Sequence, residues 1–206
     1  MFAPEITQEL IDKATAFHGH WCLGLATGIR VAAWAIHEFG TAGDEEIVAV
    51  TETDMCAIDA IQALVGCTWG KGNLILRDRG KVAFSFFRRR DGKSARVVQR
   101  FADDPDSLRM LEIRHELMSQ NISEWIRTRF EVEMTRLRKK QLDRMLSAGF
   151  DALFVVSTPG YPMPPYARRL PTIKCSGCGE GVMSSKTVLH EGRHYCMDCA
   201  ARFEEA

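Results

Sequence analysis

The stretch Glu46–Gly66, EIVAVTETDMCAIDAIQALVG, decides the fold. Glu46 to Thr53 is short and rich in β-branched residues, which predicts a strand, and Cys56 to Val65, closed by Gly66, predicts a helix. A strand therefore runs directly into a helix, with Asp54 and Cys56 at the junction, where free backbone N–H groups converge and reactive groups are usually housed in α/β architectures. Downstream, Asn73 to Arg77, Lys81 to Phe87 and Ala95 to Phe101 read as three more strands, with turns at Asp78-Arg79-Gly80 and Asp91-Gly92-Lys93. Upstream, a helical pattern from Glu5 to Phe17 leads through HGHWCLGLATG into a second helix. Its Ile29, Ala32, Ala33, Ile36 and Phe39 recur at three- and four-residue spacings, and it stops at Gly40.

Beyond this sheet region, Asp104-Pro105 reads as an N-cap followed by proline at the first helical position, and the helical pattern continues to Ala148-Gly149. Unbroken, that helix would be ~65 Å long, so a break is expected near Ser119-Gln120-Asn121, with Asn121 or Ser123 capping a second helix. DALFVVS, Asp151 to Ser157, returns as a fifth strand. Hairpins combined with a strand-helix junction give an α+β fold with a five-stranded mixed sheet flanked by helices. Residues 158–171 hold five prolines, which predicts a semi-rigid linker over 158–172. The chain then divides into a core domain, 1–157, and a small domain, 173–206, too short to build a core without a staple.

The staple is CSGC (Cys175, Cys178), seventeen intervening residues, then CMDC (Cys196, Cys199), a spacing expected of a four-cysteine zinc site. Knuckle, hairpin around Thr187 to Tyr195, and short helix resemble a treble-clef zinc finger. Asp198 is an alternative oxygen ligand, while His190 and His194 read as surface residues of the hairpin. Lys174, Lys186, Arg193 and Arg202 face five acids in this domain, so a protein contact or a structural lid is expected rather than nucleic acid.

The composition agrees. Of 206 residues, 46% are hydrophobic and 26% charged, which excludes disorder and collagen-like chains. Lys plus Arg and Asp plus Glu are 27 each, so no global basic excess attracts a polyanion. The zero has parts, however: ten acids against three bases over 1–76 (−7), two against nine over 77–100 (+7), and fifteen of each over 101–206. No run approaches the ~20 apolar residues of a membrane helix and MFAPEITQEL has no signal-peptide features, so a cytoplasmic protein without membrane contact is expected. In a reducing compartment, seven cysteines read as ligands or reactive thiols rather than disulfides.

His18-Gly19-His20-Trp21-Cys22 places two imidazoles and a thiol within five residues between two helices, all suited to zinc or a neighbouring metal. Such residues at loop ends also serve simply to pack and cap. Cys22 falls at a helix start, where the dipole favours thiolate. The glycine-rich loop Gly66-Cys67-Thr68-Trp69-Gly70-Lys71-Gly72-Asn73 departs from a Walker loop in its spacing, and leaves Lys71 available to an anionic ligand. Arg88-Arg89-Arg90 reads as a solvated run, with phosphate binding as its alternative; His37 and His115 lie in helices without neighbouring ligands.

FHGHWCLGLATG (Phe17–Gly28), ETDMCAIDAIQ (Glu52–Gln62), GCTWGKGNL (Gly66–Leu74) and DRGKVAFSFF (Asp78–Phe87), in this order, resemble the FmdE family, named for a formylmethanofuran dehydrogenase gene of methanogens. The resemblance covers most of 10–157, and the zinc finger resembles the C-terminal extension of two-domain members. Leu23 departs from the proline usual in the family. The resemblance implies a thioredoxin-like core, a cleft formed by the motifs, and association in some members with a molybdenum enzyme of one-carbon metabolism. The leading expectation is a second metal held by a pool of His18, His20, Cys22 and Cys56. Asp54 is expected beside the ligands or as one of them, with Cys67 and Lys71 lining the pocket; Cys22, Cys56, Asp54 and Lys71 are the expected catalytic groups. Two alternatives stand: thiol redox work by Cys22 and Cys56, or a non-catalytic accessory protein docking on a partner such as the molybdenum enzyme complex. The alternating charges of RTRFEVEMTRLRKK (Arg127–Lys140) fit a solvated face or an interface, and a homodimer through this arm is expected.

Overall fold

The computed structural model describes residues 5–101, 104–118 and 122–203. Two compact units divide at Tyr166 and Ala167. The first unit contains α1 (Gln8–His18), α2 (Leu23–Phe39), β1 (Ile47–Thr51), α3 (Ala57–Ala60) continuing into a π-turn (Ile61–Val65), and β2 (Leu74–Leu76). It goes on with β3 (Ala83–Arg88), β4 (Ser94–Gln99), α4 (Pro105–Leu117), α5 (Glu124–Ser147), α6 (Phe150–Leu153) and β5 (Phe154–Ser157). The sheet order is β2-β1-β3-β4-β5; β1 and β2 run parallel and the other pairs antiparallel, so the sheet is five-stranded and mixed. Every residue of β1 is buried, as expected of a strand covered on both faces.

Helix α2 is more deeply placed than its sequence pattern indicates. The spacing predicts one apolar face, but Leu25 to Ala35 are buried without a break, because α5 covers the side left by the sheet and α3. Small residues allow this: a Cβ on Gly28 would lie 2.7 Å from the Ala57 Cα and closer to its carbonyl oxygen. Arg30, buried on this helix, donates to the carbonyls of Leu146 (3.0 Å) and Ala148 (2.7 Å), satisfying the open end of α5. Burial lowers its pKa, and the two charge-assisted bonds offset that cost. Trp34 stacks on Phe150 at 5.7 Å, and Phe150 meets Phe154 at 4.7 Å, tying α2 to the last strand.

Ser123 caps α5, its Oγ accepting from the Ile126 N–H. Ser119, Gln120 and Asn121, where the helix break is expected, lie outside the described residues.

Within the proline-rich stretch, residues 158–166 fall in the first unit. Tyr161 and Met163 pack on Val48, Val50 and Phe87, on the sheet face opposite the helices. The Tyr161 hydroxyl donates to the buried Ser85 Oγ at 2.8 Å. Arg89 donates to the carbonyls of Glu45, Pro164 and Pro165, and its guanidinium lies 3.8 Å from the Tyr166 ring centroid. Proline prevents this strap from joining the sheet ladder but not from burying the side chains between the prolines.

The second unit has two antiparallel hairpins, β6 (Thr172–Lys174) with β7 (Gly181–Met183) and β8 (Thr187–His190) with β9 (Arg193–Cys196), followed by α7 (Met197–Ala201). Phe203 stacks on His190 (4.3 Å) and meets Tyr195 edge-on (4.8 Å), which is much of the apolar packing this unit has.

Candidate metal centres

In the second unit, Cys175, Cys178, Cys196 and Cys199 bring their sulfurs within 4.8 Å of one another, and Cys178 Sγ lies 3.9 Å from Cys196 Sγ. A tetrahedral zinc with Zn–S bonds near 2.3 Å has an S···S edge of about 3.8 Å. The four sulfurs therefore fit the ion with little movement. Gly177 is required here, since a Cβ would meet Cys199 Sγ at 2.8 Å. Cys175 accepts from the N–H groups of Gly177 (3.4 Å) and Cys196 (3.2 Å). Backbone N–H groups, led by that of Cys178, lower its thiol to about 6. Cys199 is pushed the other way, to about 12, first by its hydrogen bond to Cys196 and then by burial. Neighbouring thiolates repel one another, a dication among them offsets that repulsion, and this set has the geometry to receive one. Asp198 lies in the first turn of α7, and the four-sulfur set is complete without it.

In the first unit, the three ligand atoms of His18, His20 and Cys22 also lie within 4.8 Å of one another. His18 ends α1, Gly19 turns the chain with a left-handed φ of 90°, and Cys22 starts α2, so the connection folds back on itself. His18 Nε2 is 3.7 Å from Cys22 Sγ, close to the about 3.6 Å edge of a tetrahedral zinc with one nitrogen and one sulfur. The His18 and His20 rings are 4.4 Å apart. Cys22 also caps α2: its Sγ accepts from the Leu25 N–H at 3.4 Å, and Cys196 caps α7 in the same way through the Cys199 N–H.

Asp59 holds this site in shape. Its Oδ2 is 2.7 Å from His18 Nδ1, a pairing that suits an Nδ1–H donating to the carboxylate and turns Nε2 toward Cys22. That arrangement is the usual support behind a metal-binding imidazole. Gln62 Nε2 donates to Asp59 Oδ1 (3.4 Å), and Gln62 Oε1 accepts from the Trp69 N–H (3.3 Å), linking the glycine-rich loop to the cluster. Cys56, Asp59 and Gln62 are spaced by three along one helical face, a signal present in the sequence that points to Asp59.

The other expected residues are distributed unevenly. Cys56 is near Cys22: a Cβ on Gly24 would lie 3.1 Å from Cys56 Cβ, 3.6 Å from its Sγ and 4.0 Å from Cys22 Sγ. Burial, then the neighbouring Cys22, raises the Cys56 thiol. Asp54 is exposed, and the carboxylate bonded to His18 is that of Asp59 instead. Cys67 is fully buried under β1, donates to the Ile47 carbonyl at 3.5 Å, and is raised to about 12 by burial. Lys71 donates to the carbonyls of Ala42 (3.2 Å) and Gly43 (3.3 Å), which commits it to holding the loop before β1. Cys67 and Lys71 therefore support the glycine-rich loop rather than joining the ligand cluster.

Among known proteins, a 94-residue stretch is 38% identical to a probable S-adenosyl-L-methionine-binding protein of Archaeoglobus fulgidus, covering 43% of this chain. The match spans about a quarter (26%) of that protein's length. The crystal structure of a tungsten formylmethanofuran dehydrogenase FmdE-like protein from Syntrophus aciditrophicus shares the fold, with a TM-score of 0.57, 22% identity and 98% of each chain covered. Residues 165–205 match the prokaryotic dksA/traR C4-type zinc finger, in accord with the four-cysteine geometry. Residues 17–155, which contain the His-Cys cluster, Asp59 and the glycine-rich loop, match the family described as FmdE, Molybdenum formylmethanofuran dehydrogenase operon; the chain belongs to the FmdE family and carries a C4-type zinc finger after it.

Proposed function

We propose that the first unit is a metal-binding domain in which His18, His20 and Cys22 hold a zinc or similar divalent ion, distinct from the structural zinc of the finger. The observation that carries this is the His18 ring, bonded to Asp59 through Nδ1 and presenting Nε2 to Cys22 at 3.7 Å. Three ligands leave a coordination position for Cys56, which adjoins Cys22, or for an outside molecule. An ion with that open position supplies Lewis-acid chemistry to whatever occupies it. Asp59 keeps the imidazole in the binding tautomer, and Gln62 fixes Asp59 from the side of the glycine-rich loop. The family description and the name of the structural neighbour favour a place beside a molybdenum or tungsten formylmethanofuran dehydrogenase in one-carbon metabolism, in an accessory or metal-delivering role.

Metal analysis of the purified full chain tests the reading. Two ions per chain are expected, falling to one in His18→Ala and, separately, to one in Cys175→Ser. A single ion in the wild type that disappears with Cys175→Ser would sink it.

The approach of Cys22 and Cys56 around Gly24 favours a second reading, reversible thiol oxidation. Formation of that disulfide removes two protons and two electrons, which pass to an external thiol-disulfide oxidant. Intact mass after mild oxidation with oxidised glutathione should then be lower by two hydrogens in the wild type, whereas Cys56→Ala, with no second thiol to displace glutathione from Cys22, should not show that loss.

A further inference from the structure

The basic block that follows β2 has no part in the metal site, and its members have different fates. Arg88 is bonded to Asp91 and to the carbonyls of Glu38 and Phe39, and Arg89 to the proline strap. Arg77, Arg79 and Lys81 have no ion pair among the described residues. They line, with Arg96, Glu52, Thr158, Gly160 and Tyr161, a cleft of about 370 Å³ between the turn after β2 and the strap.

The cleft is shaped from below. Glu52, buried at the end of β1, takes the Arg96 guanidinium through two bonds of 2.5 and 2.7 Å, so the one carboxylate in the wall is already neutralised. The Glu52 carbonyl accepts from the N–H groups of both Arg79 (3.0 Å) and Lys81 (3.1 Å), which roots these two side chains at one edge. Gly80 between them has φ 62°, the left-handed conformation that lets the turn close this tightly, and its N–H donates to the Asp78 carboxylate at 3.1 Å. Opposite, the Arg77 guanidinium lies 4.1 Å from the centroid of Tyr161, whose ring is pinned by the hydroxyl bond to Ser85. Three cations thus converge on pre-set supports, and the wall carries no further carboxylate to pair them.

From this convergence we infer that the cleft is a binding site for a doubly charged oxyanion, the phosphate group of a small molecule, held by Arg79 and Lys81 with Arg77 at the flank. The volume exceeds that of a bare phosphate, so an organic body can share the cleft, which Thr158 also lines. The inference does not depend on the metal reading, since it concerns the turn after β2 and the strap.

Isothermal titration of the full chain with inorganic phosphate, at fixed ionic strength in chloride, tests it. Saturable binding is expected, weakened about tenfold in each of Arg79→Ala and Lys81→Ala and unchanged in Lys139→Ala, a lysine on α5 paired with Asp143. Because Arg79 and Lys81 are exposed, their variants retain the core; matching circular dichroism and Tm verify it. Glycerol phosphate in a parallel titration identifies the source: tighter binding than inorganic phosphate assigns a phosphorylated metabolite, and equal binding assigns free phosphate. Absence of saturable phosphate binding, affinity unchanged in both Arg79→Ala and Lys81→Ala, or preference for an oligonucleotide that outcompetes phosphate overturns the inference.

Discussion

At His18 the two ring nitrogens face different partners, an asymmetry that the sequence does not display. The H-x-H-x-C spacing marks the ligand atoms because soft donors that close together are conspicuous. Asp59 is 41 residues away from His18, and the helical register between Cys56 and Asp59, within the motif Glu52–Gln62, is what singles it out in the sequence. Asp54, nearer to Cys56 in the chain, is the more conspicuous acid, but sequence adjacency along a strand-helix junction does not set where a carboxylate points. Asp59→Asn keeps a hydrogen bond but removes the charge that fixes the tautomer. It should weaken metal at the His-Cys cluster by about 10–100-fold, measured by chelator competition, while finger zinc stays bound. A second carboxylate has a pH signature. Arg96, through its hydrogen bonds, holds Glu52 below its ordinary range, and burial opposes this without cancelling it. A group depressed in the folded state contributes stability above its unfolded pKa and loses it as pH falls through the folded value. Urea midpoints should therefore drop on acidification below the ordinary carboxylate range, and the drop should be smaller in Arg96→Met. At neutral pH that variant, with a buried carboxylate left unpaired, should lose about 3 kcal/mol.

Among the elements, helix α2 shows how the fold is legible and where it is not. The five strands follow from β-branched runs and glycine positions, because local patterning and the sheet agree, except that the fifth, expected from Asp151, starts only at Phe154 because Phe150–Leu153 close a helical turn first. The depth of α2 does not follow, since burial on its second side depends on α5, whose docking is a long-range event. Gly28 reports the neighbouring contact with α3. Gly28→Ala would drive a Cβ into the Ala57 backbone, and neither main chain can yield cheaply. We expect a loss of about 2–3 kcal/mol by denaturant unfolding. Displacement of α3 would also move Asp59 and weaken metal at the cluster. The strap over 158–166 escapes a sequence reading for the opposite reason: prolines describe what the backbone cannot do, whereas Tyr161 and Met163 decide what the segment covers. Tyr161→Ala should lower Tm and, by releasing Arg77, loosen the phosphate cleft as well.

For the whole molecule, the net charge of zero conceals a division of labour. The acidic first 76 residues carry the His-Cys cluster, and the basic block supplies the strap contacts and the cation-lined cleft. The two units also differ in what keeps them folded. The first has a large aromatic and aliphatic core; the second, Ala167–Ala206, has a few side chains and four sulfurs. Strong chelation should therefore melt the second unit and leave the first cooperative. Trypsin would then trim the C-terminal segment while calorimetry retains one transition. Within each unit, a sulfur that belongs to the ligand cluster also starts a helix, Cys22 for α2 and Cys196 for α7. Serine is a preferred residue at such a helix start but a poor partner for a soft ion. Exchanging sulfur for oxygen at Cys22 thus separates two inherited duties of one atom. Cys22→Ser should preserve slow hydrogen exchange at Leu25 while the bound ion is lost; fast exchange there would mean that the ion, not the side chain, secures the beginning of the central helix.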